Sequence, residues 1–407
     1  MSETSAAARV GRVEFTGSRH ELFAIIMRGY ALMVPTLGLY RFWQATWKRR
    51  FYWQNTVIDG DPLEYTGNAS QLLIGFFFAL AFFLPIYLAL FVLSMQESSL
   101  VVLGYLGIGL LFWFLMGYGI YRARDFRLSR TLWRGIRFDL RGHAWAYAVR
   151  RFFWSILMLV TLGLIYPWMA SSLWKYRWRN TWYGDRKFEI AGNWRAFAGT
   201  YFATYFLNLL TIGGALGWSA ATHDYVMLDN YPVPGVVTGL ALIACAIVLG
   251  VTLAWYRARS ASRMLSTVSC GDAQLTVKFG GASLFWQYVV YAVSVVLAAL
   301  LLLIVLGIAI IFIVAASSSG GHAEASSALS IFQISAVNVA LLVVGYLVVL
   351  GILGMLAEII LAFGWWRLLA RGTTISNPDS LRSVKATAED RALIGQGLAD
   401  ALNVGAY

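Results

Sequence analysis

Residues able to carry acid–base, nucleophilic or metal chemistry are sparse in this sequence. Its four histidines, His20, His143, His223 and His322, stand apart, and none falls in a ligand pattern such as His-Glu-x-x-His. His223-Asp224 is an acid–base pair by adjacency, but its polar surroundings read as a solvated loop. Cys245 lies in an apolar run and Cys270 in a polar one, a spacing that supports neither a disulfide framework nor a metal cluster. No Gly-x-Ser-x-Gly elbow and no phosphate-binding loop occurs. Asn208, Asn338 and Glu358 interrupt otherwise apolar stretches. A carboxylate held in lipid is a functional candidate by default; the alternative for Glu358 is a place near a helix end, paired with Arg367 or wetted. The residues give no catalytic constellation, no cofactor site and no metal site, and the chain reads as a non-enzyme.

The other chemistry available is that of cations set among aromatic rings. In "YRFWQATWKRRF", Tyr40, Trp43, Trp47 and Phe51 recur at helical spacing and share one face. Arg41, Lys48 and Arg49 project from other sides, and Arg50 follows. Amphipathic rings settle at headgroup level and nearby cations meet lipid phosphates. Arg41, Trp43, Trp47, Lys48, Arg49 and Arg50 are therefore candidate headgroup ligands, and membrane lipids, anionic ones above all, the expected partners. A second version at Trp168–Arg179 adds Lys175, Arg177 and Arg179; there Trp174 and Trp178 share a face and Trp168 does not join them. The plainer alternative is that these rings only anchor the chain at the interface.

Composition says what must position these groups. The chain of 407 residues is 59% hydrophobic and 13% charged, with a mean hydropathy of +0.66. Soluble domains carry roughly 25% charged residues, so lipid is the implied solvent. The net charge of +12 does not point to nucleic acid, because its distribution follows the membrane. All 32 Lys and Arg fall within 9–50, 122–195, 257–278 and 367–391, leaving 51–121, 196–256 and 279–366 without one. Each empty stretch holds two apolar runs around a polar connector. The expected class is thus an all-α polytopic membrane protein of three transmembrane hairpins, about six spans, with the basic side and both termini cytoplasmic. The opening residues lack the apolar centre of a signal peptide. Two further apolar segments, 22–40 and 147–165, are flanked by basic blocks and contain Arg28, Arg150 and Arg151. They are expected to be re-entrant or interfacial, with ordinary spanning as the alternative.

The chain also repeats itself. Thr36/Thr161, Leu37/Leu162, Gly38/Gly163, Trp53/Trp178, Asn55/Asn180 and Asn68/Asn193 are identical at a constant offset of 125 positions. This gives a flexible amino terminus (1–12) and a first unit (13–137) with its re-entrant segment and a hairpin at 71–121. A second unit (138–274) has its hairpin at 196–256, a degenerate third unit (275–371) has one at 284–366, and a cytoplasmic tail (372–407) follows. Internal duplication is the simplest origin. Asp59-Gly60 and Gly184-Asp185, between β-prone runs, signal tight hairpins, expected as small β elements on the cytoplasmic face.

At "TLGLYRFWQATWKRRFYWQNTVIDGDPLEYTG" the sequence resembles the YjgN-like family of bacterial inner-membrane proteins of unknown function. The resemblance rests on Phe15 and Gly17, Thr36 to Tyr40, Trp43, Arg49 and Arg50, Asn55 and Thr56, and Asp59 and Gly60. The second copy has Trp174-Lys175 where the first has the arginine pair. The resemblance implies an inner-membrane location and an architecture, and supplies no activity. Transport or handling of a lipid or small solute is the expected function; the alternative is a non-transporting protein that organises membrane or binds lipids or partners.

Overall fold

Two-residue loops punctuate the chain between short β-prone runs, and in a computed structural model of the protein each becomes a tight turn. Asp59-Gly60 and Arg134-Gly135 have both residues at positive φ, 51° and 91°, then 52° and 73°, the backbone of hairpin turns that match strand twist. Gly184-Asp185 and Gly271-Asp272 turn with glycine at 55° and 59°. The structure describes residues 9–95, 100–222, 224–228, 231–318 and 336–386. Glu97, His223, Asp229, His322 and Glu324 of the polar connectors lie outside them.

The strands so joined are β1 Val10–Phe15, β2 Thr56–Ile58, β3 Asp61–Tyr65, β4 Thr131–Trp133, β5 Ile136–Leu140, β6 Thr181–Tyr183 and β7 Arg186–Ile190. After a separate hairpin of β8 Tyr225–Leu228 and β9 Tyr231–Pro234 come β10 Val268–Cys270, β11 Ala273–Val277 and β12 Thr373–Ser376. All but β8 and β9 form one closed antiparallel barrel in sequence order, shut by β1 against β12 with Val10 opposite Ser376. This corrects the all-α expectation. Each strand is three to six residues long, too short for its alternation to stand out, and each finds its partners only through distant chain. Such strands also fall short of the ~9–11 residues a membrane-spanning strand needs.

Helices fill alternate connections. The pairs are α1 Arg19–Met33 with α2 Arg41–Gln54, α3 Ala69–Ser94 with α4 Leu100–Ser129, α5 Ala144–Val160 with α6 Tyr166–Arg179, and α7 Arg195–Thr222 with α8 Val236–Leu265. Because neighbouring strands run antiparallel, every helical insertion leaves and re-enters at one rim, and all four tight turns lie at the other. Two compact units result: Met1–Gly281 with Leu368–Tyr407, and Ala282–Arg367. The second unit holds most of α9 Gly281–Ser318, then α10 Ala336–Leu356 and a π-helical turn at Ala357–Ala362, with α11 Phe363–Arg371 leading back to β12.

Among the described residues five helical stretches are long and apolar enough to cross a membrane: Ala69–Ser94, Val101–Ser129, Val236–Leu265, Gly281–Ile304 and Val343–Arg371. About six were expected. The exception, α7, is 28 residues long but carries Thr200, Thr204, Asn208 and Thr211 along one stripe. That stripe meets α8: Thr252 Oγ1 donates to Asn208 Oδ1 at 3.0 Å and Cys245 Sγ to Thr211 O at 3.5 Å. Small and polar residues let helices approach closely in lipid, and here they lower the hydropathy by which a span is recognised.

The segments at 22–40 and 147–165 each form the first arm and tip of a short helical pair, and the basic aromatic helix is the returning arm. Gln44 Nε2, for example, donates to Ile26 O at 3.2 Å. "TLGL" is the tip. Gly38 N–H donates to Met33 O at 2.8 Å, and Gly163 N–H to Met158 O at 2.8 Å, the six-to-one bond that ends a helix on a left-handed residue. Thr36 Oγ1 donates to Leu32 O at 2.7 Å and accepts from Tyr40 N–H at 3.1 Å, so one hydroxyl closes α1 and starts α2. Thr161 does the same between Leu157 O (2.8 Å) and Ile165 N–H (3.4 Å). The repeated words are a turn device.

The far mouth of the barrel is tied by charge. Asp59, with 6% of its side chain exposed, pairs with Arg9 and Arg134, both at 3.1 Å; Arg134 also pairs with Asp61, and Arg9 with Asp379 at 2.9 Å. A strap from the 3₁₀ turn Pro378–Ser383 to Lys385 buries Leu381 and Val384. It reaches the β6–β7 turn, where Lys385 N–H donates to the Asp185 carboxylate at 3.0 Å. On the buried side of the strands Tyr183 Oη donates to Trp133 O at 3.1 Å. Burial pushes the Tyr183 phenol up to about 12 and the Cys270 thiol up to about 11, so both stay neutral. Arg134→Gln should destabilise the purified protein by about 3 kcal/mol, since removing one partner of a buried pair strands the other. Adding Asp59→Asn should recover part of that loss in thermal unfolding; additive losses would show that the pair does not couple the turns.

Candidate functional site

The second short pair reaches into an unusual patch of polar side chains. Two tyrosines four residues apart on α7 hold its tip: Tyr205 Oη donates to Leu162 O and Tyr201 Oη to Gly163 O, each at 2.8 Å. At ~1.5 Å rise per residue, Tyr205 lies about 15 Å along α7 from its start. The tip itself is apolar and bare, with Leu162 79% exposed, as is Leu37, at 94%, in the first copy.

Beside this tip α6, α7 and α8 enclose a groove of about 310 Å³, lined by Tyr166, Tyr201, Tyr205, Asn208, Leu253 and Tyr256 among others. Tyr166 stacks on Tyr201 with ring centres 4.9 Å apart, and Tyr256 meets Tyr201 edge-on at 5.7 Å. Asn208 spends its carbonyl on Thr252, so its amide hydrogens are available to the groove. Leu209, Ile212 and Leu253 on its wall are exposed, so it opens sideways onto an apolar surface. The volume is near the low end of the range for small-molecule sites. An apolar slot edged with phenols and one amide suits an amphiphile: dispersion along the chain, a hydrogen bond at one end.

The first copy lacks this chemistry. Arg41 packs over Phe76 at 5.1 Å, in the positions that Tyr166 and Tyr201 take 125 residues later. Phe76, Leu80 and Phe83 stand where the second copy has Tyr201, Tyr205 and Asn208.

The headgroup candidates fall into two groups. Arg49 Nη1 donates to Tyr65 Oη at 3.0 Å, and Arg50 Nη2 to Asn68 Oδ1 at 3.4 Å. Both therefore tie α2 to β3 and to the start of α3. Arg41 lies over Phe42 at 4.8 Å as well as Phe76, and Lys48 is half-buried. Trp43 and Trp47 are exposed, whereas Phe51, read as sharing their face, is buried against Phe15 and Tyr52. In the second copy Lys175 edges a small recess with Ser171 and Arg263. Arg177 lies over Trp174 at 5.7 Å, and Arg179 is exposed. Of the intramembrane candidates, Asn208 lines the groove. Asn338 lies on α10, and Glu358 is half-buried in the π-helical turn, both in the second unit. Among the described residues no three His, Cys, Asp or Glu side chains gather as a metal site would require.

Sequence reasoning missed Tyr166, Tyr201, Tyr205 and Tyr256. The signal available was Tyr201, Tyr205 and Asn208 on one helical face inside an apolar run. Replacing Tyr201 and Tyr205 together with Phe should free the tip. In detergent, thermolysin should then cut at the apolar residues of 161–165 faster than in the parent, while the same assay at 36–40 stays unchanged.

A family model described as "Bacterial protein of unknown function (DUF898)" matches residues 10–401, and the chain belongs to this family. No curated protein and no solved structure matches the chain.

Proposed function

We propose that this member of the DUF898 family holds or moves a lipid in the bacterial inner membrane, using the groove beside the second hairpin tip. The observation that carries this reading is the pinning of that bare apolar tip by Tyr201 and Tyr205 next to a groove that opens sideways. A bilayer core is ~30 Å thick, so a tip held about 15 Å along α7 belongs at mid-depth, at the rise of ~1.5 Å per residue. The 17 residues of α5 are too few to cross but enough to reach there. The short pairs are then re-entrant, each dipping from the barrel side and returning through a helix rich in cations. The basic blocks at that side support a cytoplasmic barrel and cytoplasmic termini. A lipid, rather than a water-soluble solute, fits a groove whose open side is Leu209, Ile212 and Leu253.

Lipid binding without translocation is the second reading, and the strap supports it. Among the described residues Leu381 and Val384 are buried at the barrel's turn end, where the strap reaches across to the β6–β7 turn.

Crosslinking with a photoreactive phospholipid in native membranes tests the site. Thr204→Leu with Asn208→Leu should remove most of the adduct that the parent forms on α7, while Phe76→Leu with Phe83→Leu in the first copy should not. Equal adducts in both variants would overturn the groove reading. Orientation is tested separately with single cysteines in a chain lacking Cys245 and Cys270. Ser98, Asp229 and Ser318 should label from outside, and Asp61, Ser129 and Ser172 should not; external labelling at Ser129 would reverse the assignment.

A further inference from the structure

Where the last turns of α4 meet α6, two arginines and two tryptophans form a cluster rich in donors and without an acceptor. Arg124 lies deep in the protein yet keeps some accessible surface. Its guanidinium sits over Trp178 at 5.0 Å, Arg177 sits over Trp174 at 5.7 Å, and the two indoles tilt against each other at 5.6 Å. Arg124 Nε, Arg177 Nε, Trp174 Nε1 and Trp178 Nε1 are all buried with no hydrogen-bond partner among the described residues. The charges that act most on Arg124 are two further cations, Arg177 and Arg127, followed by the phenols of Tyr147 and Tyr121. Two carboxylates on adjoining elements are engaged, Asp125 with Arg122 at 3.1 Å and Asp139 with Arg141 at 3.0 Å, while Glu189 on β7 is exposed.

The first copy shows what a purely structural version looks like. Trp53, the counterpart of Trp178, donates to Thr131 Oγ1 at 2.8 Å. Arg49, at the position of Trp174, donates to Tyr65 Oη at 3.0 Å. There the donors meet protein acceptors; in the second copy they do not.

Buried donors without acceptors, on cations crowded by like charge, destabilise a fold unless a ligand completes them. We propose that Arg124 and Arg177, with the indole N–H groups of Trp174 and Trp178, bind a phosphate-class anion at the helix rim of the barrel. Four donors on four side chains exceed what one carboxylate faces comfortably, and suit an oxyanion with several acceptor oxygens. Guanidinium forks match phosphate in particular. The anion comes either from a phospholipid headgroup or from a soluble phosphate ester, and the chemistry of recognition is shared. The site is separate from the tyrosine groove and does not depend on what that groove holds.

The test uses full-length protein in neutral, phosphate-free detergent, titrated with inorganic phosphate. In parallel, the protein is placed in nanodiscs of phosphatidylcholine with and without phosphatidylglycerol. Tryptophan fluorescence and the thermal midpoint are read in both arms. The parent should respond saturably in at least one. A charge-assisted hydrogen bond contributes enough that Arg124→Gln and Arg177→Gln should each weaken the response about tenfold or more. Arg49→Gln in the first copy should leave it intact. A response to phosphate alone assigns a soluble ligand, and one to phosphatidylglycerol alone assigns a headgroup. Without anion, the two Gln variants should melt no lower than the parent, since each removes an unpaired buried charge. No saturable response in either arm, an unchanged response in both Gln variants, or lower anion-free midpoints in both would overturn the site.

Discussion

A strand with an open edge carries a row of unsatisfied N–H and C=O groups, and this chain resolves that problem for ten of its short strands by closing them into a ring. None of the ten strands exceeds six residues, and a two-stranded hairpin of that size is marginal alone. The β1–β12 pairing removes the last edges. Closure also decides where the connections lie: helices at one rim, tight turns at the other. The Asp59–Arg134–Arg9 ion pairs and the strap then seal the turn rim.

The ring also explains why two similar halves can differ chemically. From β1 to β4, and again from β5 to β10, the chain runs strand, short helical pair, two strands, long helical pair, strand. The frame is held by backbone pairing and by the Thr-Leu-Gly tip, which leaves side chains on the long helices free to diverge. In the first copy they are Phe76, Leu80 and Phe83; in the second they are Tyr201, Tyr205 and Asn208. The polar stripe of α7 serves close packing on α8 and, one turn around, edges the groove.

Much of this was legible in the sequence where the signal was local. The offset of 125 positions, the Asp59-Gly60 and Gly184-Asp185 turns, the apolar helices and the family resemblance all rest on neighbouring residues. The barrel was not legible, because three-residue strands such as Thr56–Ile58 and Val268–Cys270 have no readable period and their partners lie far along the chain. The aromatic face was half right: Trp43 and Trp47 are exposed, but helical spacing could not tell that Phe51 turns into the core. Arginines at 49 and 50 look like lipid ligands in one dimension; Tyr65 and Asn68, which receive them, come into reach only after α2 folds against β3.

The closure of the ring has a consequence for how the protein is made. Translation delivers β1 first, and its partner β12 emerges more than 350 residues later, after every long helix has been synthesised. Until then the growing barrel is an open ribbon with two free edges. Closure of this ring therefore waits for nearly all of the long helices, and a product truncated before Thr373 lacks the strand that shuts it.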